Sequence, residues 1–227
     1  VWNECGWRTV ALGVAVAGAM SAWIEKLDAL QLSAVHEVAN IGLGNAATAL
    51  ASLTSLPITI EVPAVKASPA TDLVMSDEDP EVTVGVFMAF TGDVEGHLAF
   101  FFPWHGACCL WNSLLACAPS DPSEIDELFA SAIVEVGNVV CSGFLNAVSD
   151  MTDLRLHATP PMMGVDLLQA LVAEITLEAE LSNHVALTIE TSFGIDGGET
   201  LGGRCLIVPH PEGLCHLLRA LGLEVAA

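Results

Sequence analysis

The sequence predicts an α/β (α+β) fold: a single domain from an internal duplication, each half running helix, strands, hairpin, helix. Three observations predict it. A long helical pattern over residues 32–53 carries Ser33, Glu37 and Asn40. The same polar trio, Ser131, Glu135 and Asn138, returns 98 residues later on a second helical pattern. Strand and turn signals then follow each helix in a similar order, ending each time in a proline and a short apolar helix.

On a helix turning about 100° per residue, Val35, Val38, Gly42, Ala46, Ala49 and Leu53 gather on one face. Ser33, Glu37 and Asn40 fall within roughly 60° of one another on the opposite face. Gly44 shares that second face, so the trio has small neighbours. In the second copy Ile133, Val136, Val140, Phe144, Ala147 and Met151 occupy the core frame, and Ser142 stands at the place of Gly44. A single E-x-x-N on a helix is an ordinary solvated face. Two in one frame, with matching core positions, point to duplication.

Residues 1–19 differ from the rest. An apolar run from Thr9 follows Arg8 and is too short to span a bilayer. One arginine offset by Glu4 makes a poor signal-peptide start, and Met20 reads as an ordinary beginning. The expectation is a leader that is disordered or not native, ahead of a domain over 20–225 with halves at about 27–118 and 123–225.

Pro57 stops the first helix, and 58–62 alternates as a strand. Residues 71–79 form a polar, acidic connection. Strands over 81–90 and 95–102 flank Thr91-Gly92-Asp93, a hairpin signal. Pro103 ends the second strand and 106–116 reads as an apolar helix. The boundary is at 118–123, where Ser123 is the expected cap of a helix over 124–151. Strands are predicted over 154–158, 171–180, 185–193 and 204–208, with a loop at 194–200 and a closing helix after Pro209.

At 227 residues the chain is long enough for one domain of two halves or for two small domains. Lys and Arg number 6 against 28 Asp and Glu, a formal charge of −22. That argues against nucleic acid and anionic membrane as partners. It also points to a high-salt, halophilic cytoplasm in which self-repulsion is screened. Seven cysteines with no C-x-x-C suggest reduced, buried thiols rather than a disulfide framework or zinc site.

The trio narrows the chemistry. His36-Glu37-x-x-Asn40 approaches the zincin H-E-x-x-H, but an amide stands where the second histidine belongs. A glycosidase pair needs two carboxylates in one cleft, whereas Glu37 and Glu135 each sit on an outward face. No phosphate-cradling glycine loop and no G-x-S-x-G is present. A carboxamide both donates and accepts, so it can hold and aim a water. A glutamate one turn away can pair with a cation on a partner. Such a device adds no nucleophile, and helps where the partner supplies an activated group and a metal.

The segments ExxNIGxGNAATAL from Glu37, TGDVEGHL from Thr91, ExxNVVCSG from Glu135 and Thr159-Pro160-Pro161 resemble the CheC family of chemotaxis phosphatases. The resemblance runs over about 27–223. It implies a pseudo-twofold fold with both motif helices on the surface, and hydrolysis of the aspartyl-phosphate on the response regulator CheY. By position, Asn40 and Asn138 would orient the attacking water. Glu37 and Glu135 would pair with the regulator's lysine, and Ser33 and Ser131 would play a lesser part. The Mg²⁺ would be the regulator's own, so no cofactor or metal is expected here. A second implied partner is the deamidase CheD. His36 has no role in the family motif and is expected to be a rim contact or nothing. The alternative is an adaptor of the same fold that holds CheD or phosphorylated CheY with little turnover.

Overall fold

The computed structural model describes residues 29–69, 81–114, 118–180, 185–195 and 200–223. The leader and the acidic connection at 71–79 lie outside them. Two helices of 26 residues each, α1 (Ala29–Thr54) and α3 (Glu127–Thr152), stand 98 positions apart, as the polar trio requires. Between them come β1 (Ile58–Pro69), β2 (Val82–Gly92), β3 (Gly96–Pro103) and α2 (Trp104–Leu114). After α3 follow β4 (Leu156–Ala158), β5 (Met162–Leu167), α4 (Leu168–Glu180), β6 (Val185–Ile195), β7 (Thr200–Pro209) and α5 (Pro211–Ala220).

The strands form one antiparallel sheet of seven, ordered β1-β6-β7-β3-β2-β4, with β5 also on β2. The β2–β3 and β6–β7 hairpins make its centre. Each outer edge is the chain that follows a motif helix, laid against the hairpin of the other half. Both edges are interrupted by proline, which cannot donate to a ladder. β1 slips register between Glu61 and Ala64, around Pro63. At the other edge Pro160-Pro161 separates β4 from β5.

Alternation on the strands sorts the core into two layers. Leu98, Phe100, Phe102, Cys205 and Ile207 face α1, α2 and α3, while Ala99, Phe101, Leu206 and Val208 face α4. The two motif helices touch almost backbone to backbone at Gly42 and Gly143. Phe129 of α3 lies 5.6 Å from Trp104 and 5.2 Å from Trp111, ring to ring, which fastens α2 to α3. α3 is long and apolar enough to cross a membrane by length and composition. Its apolar side is taken up by the core through Ile133, Val136, Val140, Phe144 and Val148.

Four expectations need correction. Residues 171–180 are helical: Leu168, Leu171, Val172 and Ile175 pack on the α4-facing side of the sheet, where Phe87 and Phe101 lie. Their spacing of three and four is a helix period that β-branched residues disguised. The cap of α3 is Asp126, whose carboxylate accepts from the Phe129 N–H at 2.8 Å. Ser123 belongs instead to a short 3₁₀ turn, Pro122–Glu124. Ala49, Leu53 and Met151 are exposed, because the ends of α1 and α3 run past the crossing. The strand after α1 continues to Pro69, through the bulge at Pro63.

Candidate functional site

The outward placement of the trio follows from what the helices bury. In α1, Val35, Val38, Ala39, Gly42 and Leu43 face inward, leaving Ser33, Glu37 and Asn40 exposed. In α3, Val136, Gly137, Val140 and Cys141 are buried, so Ser131 and Glu135 are exposed and Asn138 is half-buried. Gly137 is the close seat: a Cβ there would stand 2.4 Å from the Val86 side chain of β2. Asn138 is therefore held next to a backbone that lies directly on the sheet. Beside Asn40, a Cβ on Gly44 would meet nothing within 4 Å, so that surface is open.

Neither motif helix carries Lys or Arg. Among the described residues nothing pairs with the carboxylates of Glu37 and Glu135. Two unneutralised acids, each one turn from an amide, suit an incoming cation. The structure thus keeps each trio on one helix and places the two trios on separate helices that cross at their glycines. No cluster of three His, Cys, Asp or Glu side chains that could hold a metal occurs among the described residues. Burial pushes the Cys141 thiol well up and that of Cys205 to about 12, so both stay protonated packing groups.

One set of contacts on each motif helix is not legible in the sequence. His36 Nε2 donates to the Val62 carbonyl at 2.8 Å, and His36 Nδ1 accepts from Asn40 Nδ2 at 3.1 Å. In α3, Ser142 Oγ donates to Asn138 Oδ1 at 3.3 Å. A histidine four residues before the asparagine was the available signal for the first. The Val62 carbonyl that completes it depends on how β1 is laid down and leaves no mark in the sequence.

The other motif segments are structural. Gly92 has φ +130°, and a Cβ on it would stand 2.0 Å from the Arg155 carbonyl, so only glycine lets the hairpin lie against the exit of α3. Asp93 then accepts from the Arg155 backbone N–H at 2.8 Å and from its guanidinium at 3.3 Å, which holds the Asp93 carboxyl below 3.8. Thr159 donates its N–H to the Ala89 carbonyl at 2.8 Å, and its hydroxyl oxygen accepts the Ala89 N–H at 3.0 Å, which ties the chain before the prolines to β2.

The CheC-like family model matches residues 30–67, covering α1 and nearly all of β1. CheC of Bacillus subtilis, named as a CheY-P phosphatase, is 29% identical over 199 residues, spanning 86% of this chain and 95% of the relative. This chain is similar to the CheC-like family through its first motif helix and to CheC along most of its length. The flagellar motor switch phosphatase FliY of Bacillus subtilis is 24% identical over 140 residues, 61% of this chain and 36% of FliY. The crystal structure of Thermotoga maritima FliY superposes with a TM-score of 0.72 at 17% identity, covering 87% of this chain and 98% of that one, and shares the fold. Glu and Asn stand three residues apart on both motif helices of this chain.

Proposed function

We propose that this chain ends a chemotaxis signal in the cytoplasm by hydrolysing the aspartyl-phosphate of a CheY-type response regulator. The observation that carries the reading is the pair of exposed, unneutralised Glu–Asn patches on matching helices, in a chain that aligns along nearly the whole of a CheY-P phosphatase. In this reading Glu37 or Glu135 pairs with a lysine of the docked regulator. Asn40 or Asn138 then aims a water at phosphorus. The water oxygen bonds to phosphorus as the P–O bond to the regulator's aspartate breaks, giving free carboxylate and inorganic phosphate. The regulator contributes the activated phosphoryl group and its own Mg²⁺, so positioning carries the rate. Ser33 and Ser131 border the docked surface. CheD is proposed as a second partner, in keeping with the family.

The formal charge of −22 sets the working conditions. An acidic regulator is repelled at low ionic strength, so turnover belongs at high salt, where the Debye length falls to about 3 Å at 1 M. The second reading is an adaptor of the same fold that binds phosphorylated CheY without consuming it. Turnover separates the two. Phosphorylated CheY in large excess over this chain, in molar salt, loses phosphate over many turnovers if the chain is an enzyme. Protection of the phosphate, or release of no more than one equivalent, makes it an adaptor.

A further inference from the structure

The two asparagines are held in different ways, and the difference decides which face of each amide is free. A main-chain carbonyl can only accept, so the 2.8 Å contact with Val62 places the His36 proton on Nε2. Nδ1 of the neutral ring is then a bare acceptor, and Asn40 must turn its NH₂ toward it, at 3.1 Å. Turned the other way, Oδ1 would face the Nδ1 lone pair. The amide of Asn40 is therefore set in one sense, with Oδ1 unclaimed.

The anchor lies at the β-bulge of an edge strand. Register with β6 runs to Glu61 and resumes at Ala64, so Val62 and Pro63 have no cross-strand partners. The ring reaches the Val62 carbonyl at that irregularity. The second site lacks this device. Its equivalent of His36 is Val134, and its equivalent of Gly44 is Ser142. Ser142 donates to Asn138 Oδ1, so that oxygen already carries a hydrogen bond.

An amide aims a nucleophilic water best by accepting its hydrogen, because an N–H donated to the water occupies a lone pair needed for attack. We propose that His36 is a positioning residue that presets Asn40, and that the two sites are unequal, the α1 site faster and the α3 site damped by Ser142. The inference rests on the phosphatase reading.

The test uses single-site chains, Asn138→Ala to leave the α1 site and Asn40→Ala to leave the α3 site, with phosphorylated CheY in molar salt. The α1-only chain should have a kcat about tenfold above that of the α3-only chain. In the α1-only chain His36→Leu should lower kcat about tenfold with KM within about twofold, while His36→Gln, which can donate to Val62 and accept from Asn40, recovers most of it. In the α3-only chain Ser142→Ala should raise kcat severalfold. ¹⁵N NMR of His36 reads the tautomer without any substitution, and should show Nε2 protonated and Nδ1 bare. Equal kcat in the two single-site chains overturns the inference. So does a His36→Leu loss carried by KM, failure of His36→Gln to recover kcat, no gain from Ser142→Ala, or the opposite tautomer. Absence of turnover in the unsubstituted chain overturns the phosphatase reading, and this inference with it.

Discussion

Gly42 lies so close to Phe144 that a Cβ on the glycine would stand 2.7 Å from the Phe144 Cα. Reciprocally, a Cβ on Gly143 would be 2.9 Å from the Gly42 carbonyl oxygen. The obstructing atoms are main chain and cannot swing aside. Gly42→Ala and Gly143→Ala should each cost about 1–3 kcal/mol in urea unfolding, as overpacking does. Gly44→Ala, two residues away with open space around it, should instead stabilise the same helix by about 0.5–1 kcal/mol. The opposite signs within one turn test the crossing itself.

The start of α3 offers a second comparison. Asp126→Ala removes the acceptor for the Phe129 N–H and should destabilise the chain by about 1 kcal/mol. Ser123→Ala, at the residue that sequence reasoning chose as the cap, should change urea stability by less than about 0.5 kcal/mol.

The elements that were legible in the sequence share one property: their period and their stop signals agree. α1 and α3 show an unbroken 3.6-residue pattern, and the β2–β3 hairpin shows alternation around a glycine turn. α4 was misread because Val172, Ile175 and Thr176 favour a pleated surface, and a short window accommodates either period. The cap was misread because a serine after an aspartate–proline pair and an aspartate three residues on satisfy the same rule. Glu37, Asn40, Glu135 and Asn138 were readable as outward-facing from the frame alone. The hold of His36 on Asn40 was not, since its far end is a carbonyl at a bulge.

The Asp93–Arg155 contact makes stability pH-dependent at the acid end. Asp93 titrates below 3.8 in the folded chain because Arg155 donates to it, so its contribution is fully present above about pH 3.8 and is lost as pH falls through the folded value. Tm measured from pH 6 down to pH 2.5 should fall less steeply for Asp93→Asn than for the unsubstituted chain. Parallel curves would mean that the pair contributes nothing to the acid limb.

Leu30 and Leu128 are 67% and 57% exposed, each three residues before the serine of its trio. Leucines that open beside a polar patch suit contact with a docked protein. Leu30→Ser in the α1-only chain and Leu128→Ser in the α3-only chain should raise KM severalfold, on the order of 1 kcal/mol, and leave kcat unchanged. Titration of KM for phosphorylated CheY with each variant checks this.

The most direct test of the whole account is the rate of phosphate loss from labelled CheY with the Asn40→Ala, Asn138→Ala double variant, read beside its binding to phosphorylated CheY. Hydrolysis should drop to the spontaneous rate of the regulator alone while binding persists. A double variant that still accelerates hydrolysis like the unsubstituted chain would contradict it.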